Sequence, residues 1–170
     1  MQLSEALDIA KKKLGNQYFE GLELVLIKSE EKNILKVYKK DGRVVITYNQ
    51  LVSLFRGLTY VKENADKDEF DIALTKHFDT NGYMPDCSRN GVIKVSVLKE
   101  YIVLLALMGQ NRLLLYTEDT YKLDKYPWFG YLRGGYSKEE IKELVAYGEE
   151  FGVELVPCIQ TLGHLKRPLR

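Results

Sequence analysis

The chain has 170 residues, 45% of them hydrophobic, which is enough apolar material to bury a core as one ordinary domain or two small ones and excludes a disordered segment. Lys plus Arg number 25 against 24 for Asp plus Glu, a formal net charge of +1, so no strong field draws it to nucleic acid or to an acidic membrane surface. The first residues, Met1-Gln2-Leu3-Ser4-Glu5-Ala6-Leu7-Asp8, carry acids where a secretory signal needs a basic region and an unbroken apolar run; the most apolar stretch, around Tyr101–Met108, is too short to span a bilayer. The reading is a soluble cytoplasmic protein with no membrane or nucleic-acid partner.

In chain order, Leu3, Leu7, Ala10 and Leu14 repeat at helical spacing and predict a helix over 4–14, with Gly15 at its stop. Leu22–Ile27 and Ile34–Tyr38 read as strands. Val44–Tyr48 follows the turn-forming pair Asp41-Gly42, so a small meander is expected. Leu51, Leu54, Phe55, Leu58 and Val61 predict a second helix, and the charged run 62–69 reads as a solvated linker.

Beyond it the texture alternates between strand and helix. Ile72–Phe78 leads in, Gly82–Cys87 is a strand, and Val92–Met108 is an apolar-striped helix closed by Gly109. Arg112–Tyr116 is the next strand. Ser137-Lys138-Glu139-Glu140 has the form of a capping box, in which the Ser137 hydroxyl and the Glu140 carboxylate each satisfy an orphan amide of the first helical turn. Ile141, Leu144, Val145 and Phe151 are expected to bury one face of that helix, Gly152 to end it, and Val153–Ile159 to form the third strand. Strand, helix, strand, helix, strand implies a parallel sheet. The fold class is α/β, with a boundary near residue 80: a small α/β domain over 1–80 and parallel βα units over 81–170.

Each of the three late strands runs into a polar cluster: Asp86-Cys87-Ser88-Arg89-Asn90, Glu118-Asp119-Thr120-Tyr121, and Gln160-Thr161-Leu162-Gly163-His164. Parallel sheets carry their chemistry at the carboxyl ends of their strands. Arg89 presents a planar fork of donors suited to adjacent sugar hydroxyls or a carboxylate; its alternative is an ion pair with Asp86. Glu118 and Asp119 orient a ligand, or one caps the turn while the other is solvated; as neighbours in an extended chain they point to opposite sides. The long loop between Tyr121 and Tyr136 holds Tyr126, Trp128, Phe129 and Tyr131 with Arg133 and Gly134-Gly135. Its rings either stack on a sugar or base or pack on one another. Gly163 permits a sharp turn that would aim His164 at the mouth of the sheet, where it is a catalyst or a structural hydrogen-bonder. His77 reads as surface or interdomain. Cys87 and Cys158 have no metal-ligand spacing and read as reduced thiols that act as small hydrophobes. No zinc spacing, phosphate-binding glycine loop or nucleophile elbow is present, so no metal or other cofactor is expected.

Four ordered blocks, Asp86-Cys87-Ser88-Arg89-Asn90-Gly91, Leu115 to Tyr121, Trp128 to Gly134 and Pro157 to Leu165, together resemble the family-20 glycoside hydrolases, the β-N-acetylhexosaminidases, and most closely their bacterial N-acetylglucosaminidase-like branch. The resemblance implies a small α/β domain and then an eight-stranded (β/α) barrel, of which this chain holds the first three βα units. It implies removal of terminal N-acetylhexosamine with retention, the substrate's own acetamido oxygen acting as nucleophile. An Asp orients that group, and the Glu beside it is acid and then base. Carried onto this sequence, Arg89 matches the Arg that holds the terminal sugar's hydroxyls, Asp119 an acidic position after the second strand, and His164 the His after the third. Glu118, Trp128 and Tyr131 join them as candidate glycan contacts.

Two departures matter. Gln160 stands where the family usually has an Asp four residues before the His, and the catalytic Asp-Glu pair follows a fourth strand, beyond Arg170. Glu118-Asp119 is not that pair. The expectation is therefore the N-terminal portion of a β-N-acetylhexosaminidase with no catalytic residue of its own, inactive alone, and a three-stranded sheet whose uncovered edge offers self-association. The alternatives are a non-catalytic carbohydrate-binding or interaction module using Arg89, Trp128 and Tyr131, and a small α/β scaffold with no sugar connection.

Overall fold

Asp41 and Gly42 both take positive φ, 48° and 75°. That backbone matches a two-residue hairpin turn whose twist suits the flanking strands, and it fixes β2 (Ile34–Lys40) against β3 (Arg43–Tyr48) in antiparallel register. The computed structural model describes residues 2–89 and 91–160. Around this hairpin a four-stranded sheet is built in the order β1-β3-β2-β4, with β1 at Glu23–Lys28 and β4 at Phe70–Thr75.

The expected meander is corrected here. β1 pairs in parallel with β3, from Glu23 opposite Arg43 to Lys28 opposite Tyr48, and does not lie beside β2. The far edge of β2 is taken by β4, which runs antiparallel to it. The burial pattern accounts for this order: β2 from Leu35 onward and β3 alternate buried residues with more exposed ones, whereas β1 and β4 are more exposed and take the edges. The residues expected to lead into the second half thus complete the first sheet. The run 62–69 is also tied in, because the Lys39 ammonium donates to the Lys67 carbonyl at 2.6 Å. His77 and Phe78 follow β4 as exposed residues.

The sheet is covered by α2 (Leu51–Glu63), whose Val52, Leu54, Phe55, Leu58 and Val61 are buried. Gly57 permits close approach: a Cβ there would lie 2.7 Å from Cγ2 of Ile46 on β3. α1 (Leu3–Leu14) buries Ala6, Ala10 and Leu14 while Leu3 stays exposed at its start. On its other side α2 meets α3 (Val95–Leu107) and α4 (Lys138–Phe151). Phe55 and Phe151 stack at 5.0 Å, and the Thr59 hydroxyl donates to the Leu107 carbonyl at 2.8 Å, so the helices form a shared layer between two sheets.

The second sheet is parallel, in the order β5-β6-β7, from Gly82–Tyr83, Arg112–Tyr116 and Glu154–Cys158. β5 is shorter than the expected 82–87. Pro85 has no N–H to donate to a ladder, and pairing resumes only at Asp86, opposite Tyr116. α3 begins at Val95, three residues later than expected, and its end is closed by Gly109 at φ 74°. The α4 capping box forms as read: Glu140 N donates to Ser137 Oγ at 3.1 Å and Ser137 N to Glu140 Oε2 at 2.7 Å. Its buried stripe is Leu144, Gly148 and Phe151. Val145 sits about a quarter-turn away and is exposed, which corrects the expected face. Gly148 belongs to the stripe because a Cβ there would lie 2.4 Å from the Val153 carbonyl oxygen. Among the described residues no helix is long and apolar enough to cross a membrane.

Candidate functional site

The turns that leave β5 and β6 meet at the carboxyl end of the parallel sheet. Cys87 N donates to the Tyr116 carbonyl at 2.9 Å, and the wholly buried Thr120 hydroxyl lies 3.1 Å from the Cys87 carbonyl and 2.7 Å from that of Thr117. Two consecutive strand ends are therefore locked together by backbone before any charged side chain is considered. Cys87 is buried beneath them, and burial pushes its thiol pKa up, so it stays a neutral part of the core.

In the first turn one oxygen of Asp86 accepts from the Ser88 hydroxyl at 2.7 Å, from Ser88 N at 2.9 Å and from Arg89 N at 3.1 Å. The bonds from Ser88 hold the Asp86 carboxyl below its ordinary pKa. Its second oxygen is 3.6 Å from Arg89 Nε. Arg89 thus makes the Asp86 ion pair, and Glu118 Oε1 lies 4.0 Å from the same nitrogen. Both pairs run through Nε. The two Nη groups have no ion pair among the described residues, and the side chain is 64% exposed. Arg89 also lies over the Tyr116 ring, 5.6 Å from its centroid.

The second turn differs from the sequence expectation. Glu118 has φ 48°, a left-handed conformation uncommon for a side-chain-bearing residue. The chain is therefore not extended at Glu118-Asp119, and both carboxylates face one guanidinium, that of Arg133. Arg133 Nη1 is 2.6 Å from Asp119 Oδ1 and 3.5 Å from Glu118 Oε2, while Nη2 donates to the Ser88 carbonyl. Neither acid is the solvated partner of a pair: their side chains are 15% and 23% exposed. Tyr116 OH donates toward Glu118 at 3.4 Å and accepts from the Gln160 side chain, so the third strand end reaches the same cluster.

Ser88, Arg89, Glu118 and Arg133 line a cavity of about 390 Å³. Of its charged groups Arg89, Arg133 and Glu118 line it, while Asp86 and Asp119 pair with the two guanidinium groups, so the cluster as a whole is close to charge balance. Among the described residues no group of three or more His, Cys, Asp or Glu could hold a metal ion.

The aromatic loop divides between the two readings of it. Phe129 turns inward against Tyr121 at 5.1 Å, whereas Trp128 and Tyr131 pair edge to face at 5.1 Å with 74% and 61% of their surface exposed. Gly130, at φ 67°, lets the loop touch the second turn; a Cβ there would lie 2.2 Å from the Asp119 carbonyl oxygen. Arg89, Glu118 and Asp119 are thus brought together, and Trp128 and Tyr131 stand on the loop fastened to them. His164, with the rest of the third cluster after Gln160, lies outside the described residues. Arg133 is not among the candidate contacts read from sequence, although it stands amid the rings and paired glycines of the long loop and within the block Trp128 to Gly134 that carries the family resemblance.

No protein-family model matches the sequence. Two relatives are similar in sequence: hexosaminidase D of Bos taurus, 31% identical over 99 residues, and hexosaminidase D of Homo sapiens, 33% identical over 99 residues. Each alignment covers 55% of this chain but only 25% of the bovine and 18% of the human protein. In fold the chain is similar to Streptomyces plicatus N-acetyl-β-hexosaminidase, with TM-score 0.72 and 20% identity over 92% of this chain and 40% of that one. It is also similar to the β-N-acetylhexosaminidase of Bacteroides fragilis, with TM-score 0.71 and 17% identity over 94% and 41%. The family-20 β-N-acetylhexosaminidase of Streptomyces coelicolor aligns with TM-score 0.67 and 20% identity over 87% and 38%. The proteins similar in sequence are hexosaminidases, and the solved structures similar in fold are β-N-acetylhexosaminidases that include a member of family 20, the family suggested by the four sequence blocks.

Proposed function

We propose that this hexosaminidase-like chain forms part of the sugar-recognition wall of a retaining β-N-acetylhexosaminidase, and that its ligand is a terminal N-acetylhexosamine of a glycan. In this reading residues 1–80 are the small domain that precedes the barrel, and 81–170 are its first three βα units. The observation that carries it is the cavity at two consecutive parallel strand ends, where Arg89 keeps both Nη groups unpaired among the described residues. A guanidinium fork there donates to two adjacent hydroxyls of a sugar ring, and the exposed indole of Trp128, on the loop that Arg133 fastens, is the candidate to cover the ring's apolar face.

In this reading the described carboxylates at this site are supports and not the acid and base. Asp86 accepts three hydrogen bonds, Asp119 is held by Arg133 at 2.6 Å, and Glu118 lies between two guanidinium groups. Cleavage by the substrate's acetamido oxygen therefore needs an acid/base pair other than these residues. Asp119 acts as a support for the pocket, and His164 keeps its proposed place beside it on the resemblance alone.

A non-catalytic binding module is the second reading, favoured by the exposed Trp128–Tyr131 pair, which offers a stacking surface without chemistry. Titrating N-acetylglucosamine into the 170-residue chain while following Trp128 fluorescence tests the common part: a saturable change is expected, and silence overturns both readings. Release of nitrophenol from a nitrophenyl N-acetylglucosaminide by the pure chain would overturn the assignment of catalysis to other residues.

A further inference from the structure

We infer that Arg133 is a positioning residue, which holds the Glu118-Asp119 turn so that Glu118 reaches only Nε of Arg89 and leaves the Arg89 Nη fork available to the sugar; this rests on the proposed glycan site. One guanidinium fastens three segments. Nη1 takes Asp119 at 2.6 Å and reaches Glu118 at 3.5 Å, Nη2 donates to the Ser88 carbonyl in the turn after β5, and the residue itself belongs to the aromatic loop. Only 31% of its side chain is exposed, so these bonds form in a partly water-excluded setting where charge-assisted pairs are strong.

The loop's backbone meets the second turn on both sides of this contact. Gly130 abuts the Asp119 carbonyl, and a Cβ on Gly135 would lie 3.1–3.2 Å from the Thr120 and Tyr121 backbone. Arg133 is the polar fastening between these two points. Its charge also decides where Glu118 goes. Glu118 Oε2 faces Arg133 while Oε1 is already 4.0 Å from Arg89 Nε, so a Glu118 released by Arg133 has a second guanidinium within reach. A bidentate pair with Arg89 would then occupy the donors that the sugar needs.

Lys cannot replace this arrangement. A single ammonium is a point charge and cannot meet the Asp119 carboxylate and the Ser88 carbonyl along the two directions that Nη1 and Nη2 take.

The test is a calorimetric titration of the 170-residue chain with N-acetylglucosamine, comparing the parent chain with Arg133→Ala, Arg133→Lys and the double variant Arg133→Ala/Glu118→Gln. Arg133→Ala is expected to weaken binding on the order of tenfold, and Arg133→Lys to weaken it as well, by less. Removing the Glu118 charge in the double variant is expected to return affinity to within about threefold of the parent, a recovery that a simple loss of folding or of a direct sugar contact would not give. Should Arg133→Ala fail to fold, Arg133→Lys carries the test against the parent. Parent-like affinity in the single variants overturns the inference, as does a double variant as weak as Arg133→Ala. A parent chain that gives no binding signal instead overturns the glycan reading beneath it.

Discussion

The two sheets use charge in opposite ways. In the first sheet β2 alternates buried and exposed residues from Leu35 to Lys40, with Lys36 and Lys40 on the exposed side and Lys39 buried with its ammonium at the Lys67 carbonyl. The ion pairs there are single and exposed, such as Arg43–Glu23 at 3.7 Å with side chains 59% and 68% exposed. At the carboxyl end of the parallel sheet five charged side chains form one cluster, three of them lining a cavity, and Glu118 and Asp119 are mostly covered. Scattered charge keeps a face wet, whereas converging charge requires strand ends, a strained turn and a returning loop to agree. That agreement marks the site.

The comparison is broken most severely by removing what the two regions share. Phe151→Ala empties a fully buried position against Phe55 and should cost about 3–5 kcal/mol, read by urea denaturation, with near- and far-ultraviolet signals falling together. Separate transitions would mean that the sheets are energetically independent. Gly130→Ala acts on the converging region alone: its Cβ meets the Asp119 carbonyl at a positive φ, and a loss of about 1–3 kcal/mol is expected, with faster amide exchange in the loop than in β2. Ser137→Ala removes half of a capping box and should cost about 1 kcal/mol in the same denaturation experiment.

Trp128→Ala sharpens the contrast from the other side. At 74% exposure the ring should contribute under about 0.5 kcal/mol to stability. Its removal should nevertheless weaken N-acetylglucosamine binding, followed by calorimetry because the fluorophore is gone. Acid gives the smallest effect. The folded-state pKa of Asp86 is lowered, so its stabilising contribution is present above the ordinary carboxyl value of 3.8 and fades as pH falls below it. Asp86→Asn should therefore lose part of its stability advantage at neutral pH and show a shallower decline in acid, measured as melting temperature against pH.

Local signals survived into the structure and long-range ones were not legible. Asp41-Gly42 specifies its turn through backbone preference, and Ser137 with Glu140 specifies a cap through side chains three residues apart; both are decided within a few residues. The pairing of β1 with β3 depends on which strands are buried deepest, a property of the assembled sheet rather than of the run 22–27. The polar clusters after the strands were readable because parallel topology puts them at one end. Their geometry was not. Glu118 leaves the extended conformation, which turns two carboxylates expected to diverge onto one partner, and that partner, Arg133, is fourteen residues beyond Asp119. A fourteen-residue separation carries no helical or strand period, so no sequence pattern announces the contact.

The most direct test contrasts the two ends of the parallel sheet by one type of residue. Arg89 lies at the carboxyl end, whereas Arg112 opens β6 at the amino end, paired with Glu154. In a calorimetric titration with N-acetylglucosamine, Arg89→Ala should abolish saturable binding and Arg112→Ala should leave the affinity as it is in the parent chain. Equal binding by parent, Arg89→Ala and Arg112→Ala would contradict the assignment of the sugar site to the converging charges at the strand ends.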